Sequence, residues 1–435
     1  MMRVFRVLFT NCLLLWSIIL LAQNEFTCLT TFSDSLRSNC AYNSPEWSYY
    51  RNQNLYVPDG NPGIPFHNAP IKTVNVSINV VQKDDETGNF LDTPDTRNRF
   101  RRIIDWINDF YSNYSPSDKI NWVSELPNYD SKIRFSIGEE GDERIYFIKN
   151  TSWWYYYNAV HGLYIYNDTL FTNHPERMEN VNIFIFGNPN NYNTSTSLPP
   201  FWNDFDSNTA IATCYWPSED SDYAKAGALA HELGHVLDLL HTYSGYGSNP
   251  IDDPNNMDFL KDVFLVSLNP DVSNCPHIVD YYTNAYAVNG DRITNNLMGG
   301  NKDQNYISPL QAGQMHRALS LTSSRKYAHC EKSDVPLVIT DEQLWDFDIK
   351  LYRDLIVESG AKLTLTNHLV MNPDCKIIVK PGGKLIVDGA MIGIDIYEKE
   401  QWPGIEVWGN SNTHQHDVNG SFGQGYIELK NGAII

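Results

Sequence analysis

The chain has 435 residues, 42% hydrophobic and 13% aromatic, which is enough for two or three domains with a large core and excludes a disordered or fibrous protein. Lysine and arginine number 32 against 52 aspartate and glutamate, a formal charge of -20. With no basic run to gather phosphates, this balance argues against nucleic acid as a partner.

The N-terminus, MMRVFRVLFTNCLLLWSIILLAQ, has two arginines, an apolar run and Ala22 before Gln23. This is the layout of a secretory signal over residues 1–22; Asn11 and Cys12 interrupt a run already short for a membrane anchor. The protein is therefore expected to be secreted or extracellular. Removal of the signal leaves Cys28, Cys40, Cys214, Cys275, Cys330 and Cys375, for which an oxidising compartment predicts disulfides of open connectivity.

Residues 23–68 lack a sustained period and end in the turn-laden VPDGNPGIPF, which reads as a pro-segment or an irregular lead-in. From Thr73, VNVSINVV alternates as a strand does. Between Thr96 and Tyr111 the apolar residues Phe100, Ile103, Ile104, Ile107 and Phe110 recur at helical spacing. KIRFSIG, ERIYFIKN, VNIFIFGN and IATCYW then read as short strands, while TSWWYYYNAVHGLYIYN has no assignable pattern. The alanine- and leucine-rich stretch 222–238 is the strongest helix in the sequence.

That helix carries HELGHVLDLLH. His231 and His235 stand four apart and project from one face of a helix, so both imidazoles can reach one ion. Glu232 lies about 100° round the helix, where it can face a water on that ion without ligating it. A catalytic zinc site needs a third protein ligand, and His241 is the candidate. On a continuous helix His241 would lie roughly 9 Å further along the axis, so the chain must turn between the two. The turn calls for a residue at positive φ, and the position expected to hold glycine is Asp238, one of the few residue types that visits that region. The prediction is a left-handed Asp238 immediately after the metal helix.

His231, Glu232, His235 and His241 resemble the pattern HExxHxxGxxH of the metzincin metallopeptidases, with Asp238 in place of the glycine. Over roughly residues 70–325 the resemblance is to the pappalysin-like branch, through ATCYWP before the helix, HTY after the third histidine, and NNLMGG followed by SPLQAGQMHRAL. It implies an α+β catalytic domain over residues 69–332: a mixed twisted sheet, two long helices and a Met-turn. Met298 would be the turn methionine under the imidazoles, with Ser308 to Leu319 the closing helix. Gly300 stands where some relatives place a tyrosine ligand, so three protein ligands are expected. The implied activity is secreted zinc-dependent endopeptidase cleavage of a protein or peptide substrate, with Glu232 as catalytic base toward the zinc-bound water. Relatives often bind calcium after the metal helix. Asp252 and Asp253, with Asp258, offer oxygen ligands for Ca2+, or form an acidic turn facing solvent. Cys28 and Cys40 read more simply as a disulfide than as a thiolate lock on a zymogen.

Beyond residue 333, VESGAKLTLTN and VKPGGKLIVDG match at a 22-residue step, and LKNGAII begins a third copy. Residues 333–435 are thus expected to form a mostly β, right-handed solenoid-like segment of two or three rungs, with surface or glycan contact as its partner class. His414 and His416 read as a solvated loop rather than a metal pair. A competing function is an adhesin or carbohydrate-binding surface protein whose peptidase domain has decayed, with Asp238 as the sign of decay. A polysaccharide-degrading β-helix would need more rungs and a cluster of acids on one face.

Overall fold

The computed structural model describes residues 53–59, 65, 67–88, 90–113, 129–155, 172–187, 222–239, 295–298, 305–395, 397, 400–415 and 423–435, with the backbone of 194–196 and 210–214. The N-terminal leader, His241, Asp252, Asp253, Asp258, Gly300 and His416 lie outside the described residues. No helix among the described residues is long and apolar enough to cross a membrane.

The organising strand is β1 (Lys72–Gln82), buried on both faces. Val74, Val76, Ile78 and Val80 feed one hydrophobic core. On the opposite face Ser77 and Asn79 are equally buried and share the Asn182 side-chain oxygen, at 2.7 and 3.1 Å. These hydrogen bonds satisfy polar groups that would otherwise be costly to bury.

One edge of β1 pairs in parallel first with β2 (Ile133–Ser136) and then with β3 (Ile145–Lys149). Its other edge pairs in parallel with β4 (Val181–Phe186), which pairs in parallel with β6 (Ala210–Cys214). The far strand, β5 (Thr194–Thr196), runs antiparallel on β6. A two-residue strand, β7 (Ala328–His329), adds antiparallel to the start of β1. This is a seven-stranded sheet of mixed direction.

Helix α1 (Pro94–Phe110) covers the sheet with Phe100, Ile103, Ile104, Ile107 and Phe110, the five residues whose spacing predicts it. Thr93 caps its N-terminus and Pro94 occupies the first turn, where no amide hydrogen is missed. Helix α2 (Asp222–Val236) packs against α1, and Asp222 binds Arg99 at 2.5 Å and Arg102 at 3.1 Å. From Ala228 to Val236 every residue of α2 is buried. Helix α3 (Pro309–Leu321) closes this layer.

Eleven further strands, all paired in parallel, follow as three stacked sheets. The first coil comprises β8 (Ser333–Ile339), β9 (Glu342–Trp345) and β10 (Ile349–Leu351). The second comprises β11 (Arg353–Val357), β12 (Lys362–Leu365) and β13 (Leu369–Met371). The third comprises β14 (Ile377–Val379), β15 (Lys384–Asp388) and β16 (Ile392–Ile394), and a fourth begins with β17 (Ile405–Val407) and β18 (Tyr426–Lys430). Lys362 and Leu363 lie on Lys384 and Leu385, the partners expected from the sequence repeat. Gly360 and Gly382 turn equivalent corners at φ +85° and +84°, a conformation that side chains resist. One coil precedes the repeat visible in the sequence: it is shorter, with Glu342 under Lys362, and it has Thr340 where the next coils have glycine.

Some described residues of the lead-in pack on this second module. Tyr56 belongs to the solenoid core, meets Phe347 edge-on at 5.9 Å and donates a short hydrogen bond to the Asp348 carbonyl. The Arg353 guanidinium donates to the carbonyls of Pro65 and His67. The disulfide expectation fails for the two cysteines whose side chains are described: Cys330 and Cys375 are buried free thiols, the former donating to the Ile71 carbonyl at 3.3 Å. Burial raises them to about 11 and about 12, so both stay protonated and behave as small apolar groups.

Candidate metal centre

His231 and His235 leave α2 from one face and are each 1% exposed. Their rings meet edge to face, with centroids 4.8 Å apart. The Nδ1 of His231 lies 2.7 Å from the Leu297 carbonyl, and the Nδ1 of His235 lies 2.7 Å from the Leu239 carbonyl. A carbonyl can only accept, so each Nδ1 carries the hydrogen. In the neutral rings both Nε2 atoms then present lone pairs, and these face each other at 3.2 Å.

Burial, reinforced by the neighbouring His231, pushes His235 well below its ordinary value; the hydrogen bond to Leu239 opposes this more weakly. The ring is thus neutral at physiological pH, and two lone pairs at this distance repel unless a cation lies between them. Zinc bonds of about 2.0–2.1 Å at a tetrahedral angle place ligand nitrogens about 3.3–3.4 Å apart. The two histidines therefore fit a zinc ion in tautomer and spacing. Among the described residues no group of three histidine, cysteine or acidic side chains converges, and His241, the expected third ligand, lies outside them.

The end of α2 is a Schellman turn. Leu239 N–H bonds the Gly234 carbonyl at 2.9 Å, and Asp238 N–H bonds the His235 carbonyl at 3.0 Å. Asp238 has φ +69°, the left-handed conformation the motif needs at this position. Its carboxylate accepts a 2.5 Å hydrogen bond from Gln314 Nε2 of α3. Glu232, completely buried, sits on the same turn of α2 as His231. Tyr111 and Ser324 cap carbonyls of this helix, at Ala230 and Val236, each at 2.9 Å.

Met298 is fully buried, with its sulfur against Gly234 of α2. A Cβ on Gly234 would come within 2.5 Å of the Met298 sulfur, so only glycine admits the methionine at this depth. The segment that presents Met298 is held by Asn296, which exchanges two side-chain hydrogen bonds with Gln311 at 2.8 and 3.0 Å and accepts from Met298 N–H at 3.0 Å. Gln311 also completes a capping box with Ser308 at the start of α3.

The sequence singled out His231, His235, Glu232, Asp238 and Met298 as candidates, but not the groups that the structure places against them. Gly234 did carry a signal, because a glycine inside a helix costs about 1 kcal/mol and asks for a packing reason. The carbonyls of Leu239 and Leu297 left none, since any residue supplies one. Strand β5, which contacts α2, went unseen because Thr-Ser-Thr shows no apolar alternation.

No protein-family model and no curated protein sequence matches the chain. Among solved structures it is similar to promirolysin of Tannerella forsythia, at 16% identity and TM-score 0.40 over 69% of this chain and 96% of that one. It is also similar to mature mirolysin of that organism in complex with a cleaved peptide, at 17% identity and TM-score 0.37 over 60% and 96%. OgpA of Akkermansia muciniphila follows at 19% identity and TM-score 0.25 over 43% of this chain and about half of its own length, 54%. At such scores the likeness decides nothing about the site, which stands on its own geometry.

Proposed function

We propose that the protein is a secreted zinc-dependent endopeptidase of the metzincin kind, with a pappalysin-like sequence pattern. The observation that carries this reading is the pair of Nε2 atoms facing each other at 3.2 Å, with both Nδ1 positions committed to carbonyls. His231 and His235 would hold the ion, with His241 as third ligand. Zinc there would acidify a water molecule and polarise a peptide carbonyl.

The protein's own part is to orient and to move a proton. Leu239 and Leu297 fix the imidazoles, and Met298 floors them with a polarizable apolar surface. Glu232, buried on the same helix turn, takes the proton of the attacking water and delivers it to the leaving nitrogen. Strand β5, antiparallel at the edge of the sheet, would bind an extended peptide by strand addition.

The adhesin reading took Asp238 as a sign of decay. That argument weakens because Asp238 completes a hydrogen-bonded helix cap. The decisive experiment compares zinc content and cleavage of a denatured protein by the mature chain and by Glu232→Gln. Equimolar zinc in both proteins, with cleavage reduced at least roughly a hundredfold in the variant, is expected for loss of a general base. Zinc without cleavage by the unmodified mature chain would favour the adhesin, and absence of zinc would overturn the metal reading.

A further inference from the structure

We propose that Asp238 and Gln314 form a positioning pair that replaces the glycine of the metal-helix turn and sets the orientation of His235. This rests on the zinc reading above but concerns residues that contact neither zinc nor substrate.

His235 is oriented by the carbonyl of Leu239, the second residue of the turn. That carbonyl points back at the ring because Asp238, one residue earlier, is left-handed at φ +69°. Glycine adopts this conformation freely, whereas a side chain resists it. At Asp238 the opposing force is visible: the residue is 5% exposed and its carboxyl group accepts from Gln314 Nε2 at 2.5 Å. Gln314 is itself 2% exposed, and its Oε1 has no hydrogen-bond partner among the described residues. The chain of action runs from α3 through Gln314 to Asp238, through the turn to the Leu239 carbonyl, and from there to His235.

A glycine at position 238 would not need Gln314, and this makes the proposal testable by rescue. Zinc affinity is measured by chelator competition for wild type, Gln314→Ala, Asp238→Ala, Asp238→Gly and the double variant Asp238→Gly with Gln314→Ala. Thermal stability of each apo protein and the exchange rate of the His235 Nδ1 hydrogen, read in ¹⁵N-histidine-labelled protein, accompany it. Gln314→Ala and Asp238→Ala should each lose roughly ten- to a hundredfold in zinc affinity, the range for groups that orient a ligand. The same two should exchange the Nδ1 hydrogen faster in the absence of metal. The double variant should recover most of the affinity lost by Gln314→Ala, because the turn no longer depends on the amide.

An equal loss for Gln314→Ala whether residue 238 is aspartate or glycine would overturn the pair, as would wild-type affinity in Asp238→Ala. Should Gln314→Ala fail to fold, Asp238→Asn takes its place: it keeps an acceptor and a residue tolerant of positive φ, and a loss as large as that of Asp238→Ala would sink the idea. A wild-type protein that takes up no zinc refutes the metal reading. The proton-exchange comparison still decides whether the pair orients His235.

Discussion

At the scale of single residues, Gly234 shows how little room the site leaves. It lies between the two histidines on α2, with the Met298 sulfur where its side chain would be. Gly234→Ala gains helix propensity but must push Met298 away, and overpacking of this kind costs about 1–3 kcal/mol. The expected outcome is a lower thermal midpoint together with weaker zinc binding, since Met298 follows directly on the Leu297 carbonyl that orients His231. A variant with unchanged melting and unchanged metal uptake would show that the contact is not tight. The residues visible from sequence here were those whose chemistry is rare: two histidines four apart, a glutamate beside one, an aspartate where glycine is wanted. What aims them is backbone carbonyls and a glutamine 76 positions away from Asp238, and neither leaves a local trace.

At the scale of elements, legibility followed periodicity. The burial of α1 matches its apolar spacing residue for residue, and β1 alternates as its sequence does before becoming buried throughout. The first coil of the solenoid escaped because its strands lie 18 to 20 positions before their partners rather than 22, so no fixed step reveals it. Helix α3 was anticipated through its resemblance to a family pattern, and the structure supplies the physical reason for its start: Ser308 and Gln311 satisfy each other's backbone N–H groups. Ser308→Ala removes one half of that exchange and should cost about 1 kcal/mol, read as a shift in denaturant midpoint at constant slope. Because Gln311 also anchors Asn296 behind Met298, the same variant should weaken zinc binding slightly; full stability in the variant would mean that the cap is redundant.

At the scale of the molecule, the layer that carries the histidines and the solenoid meet across buried charge. Asp395, 2% exposed, binds Arg325 at 2.7 Å and Lys350 at 3.2 Å. Lys72 of β1 and Lys350 of β10 both lie over the Tyr352 ring, at 4.9 and 5.2 Å. Desolvation lowers Lys72 from 10.5 to about 7, only partly offset by Cys330. The unfolded chain therefore holds a proton that the folded protein sheds between about pH 7 and pH 10.5, so this residue makes stability rise with pH across that window. Its destabilisation is complete below pH 7 and vanishes above 10.5. Lys72→Met should raise the melting temperature at about pH 6 and lose that advantage by about pH 10. An advantage independent of pH would place the effect in packing rather than in charge.

Helix α3 touches both halves. Gln314 grips the end of α2, Arg317 lies 5.8 Å over the Tyr56 ring, and the helix contacts β10 of the first coil. This helix therefore ties the two modules together through contacts on both of its sides. On the zinc reading proposed above, the solenoid thus also braces the helix that holds the turn after His235.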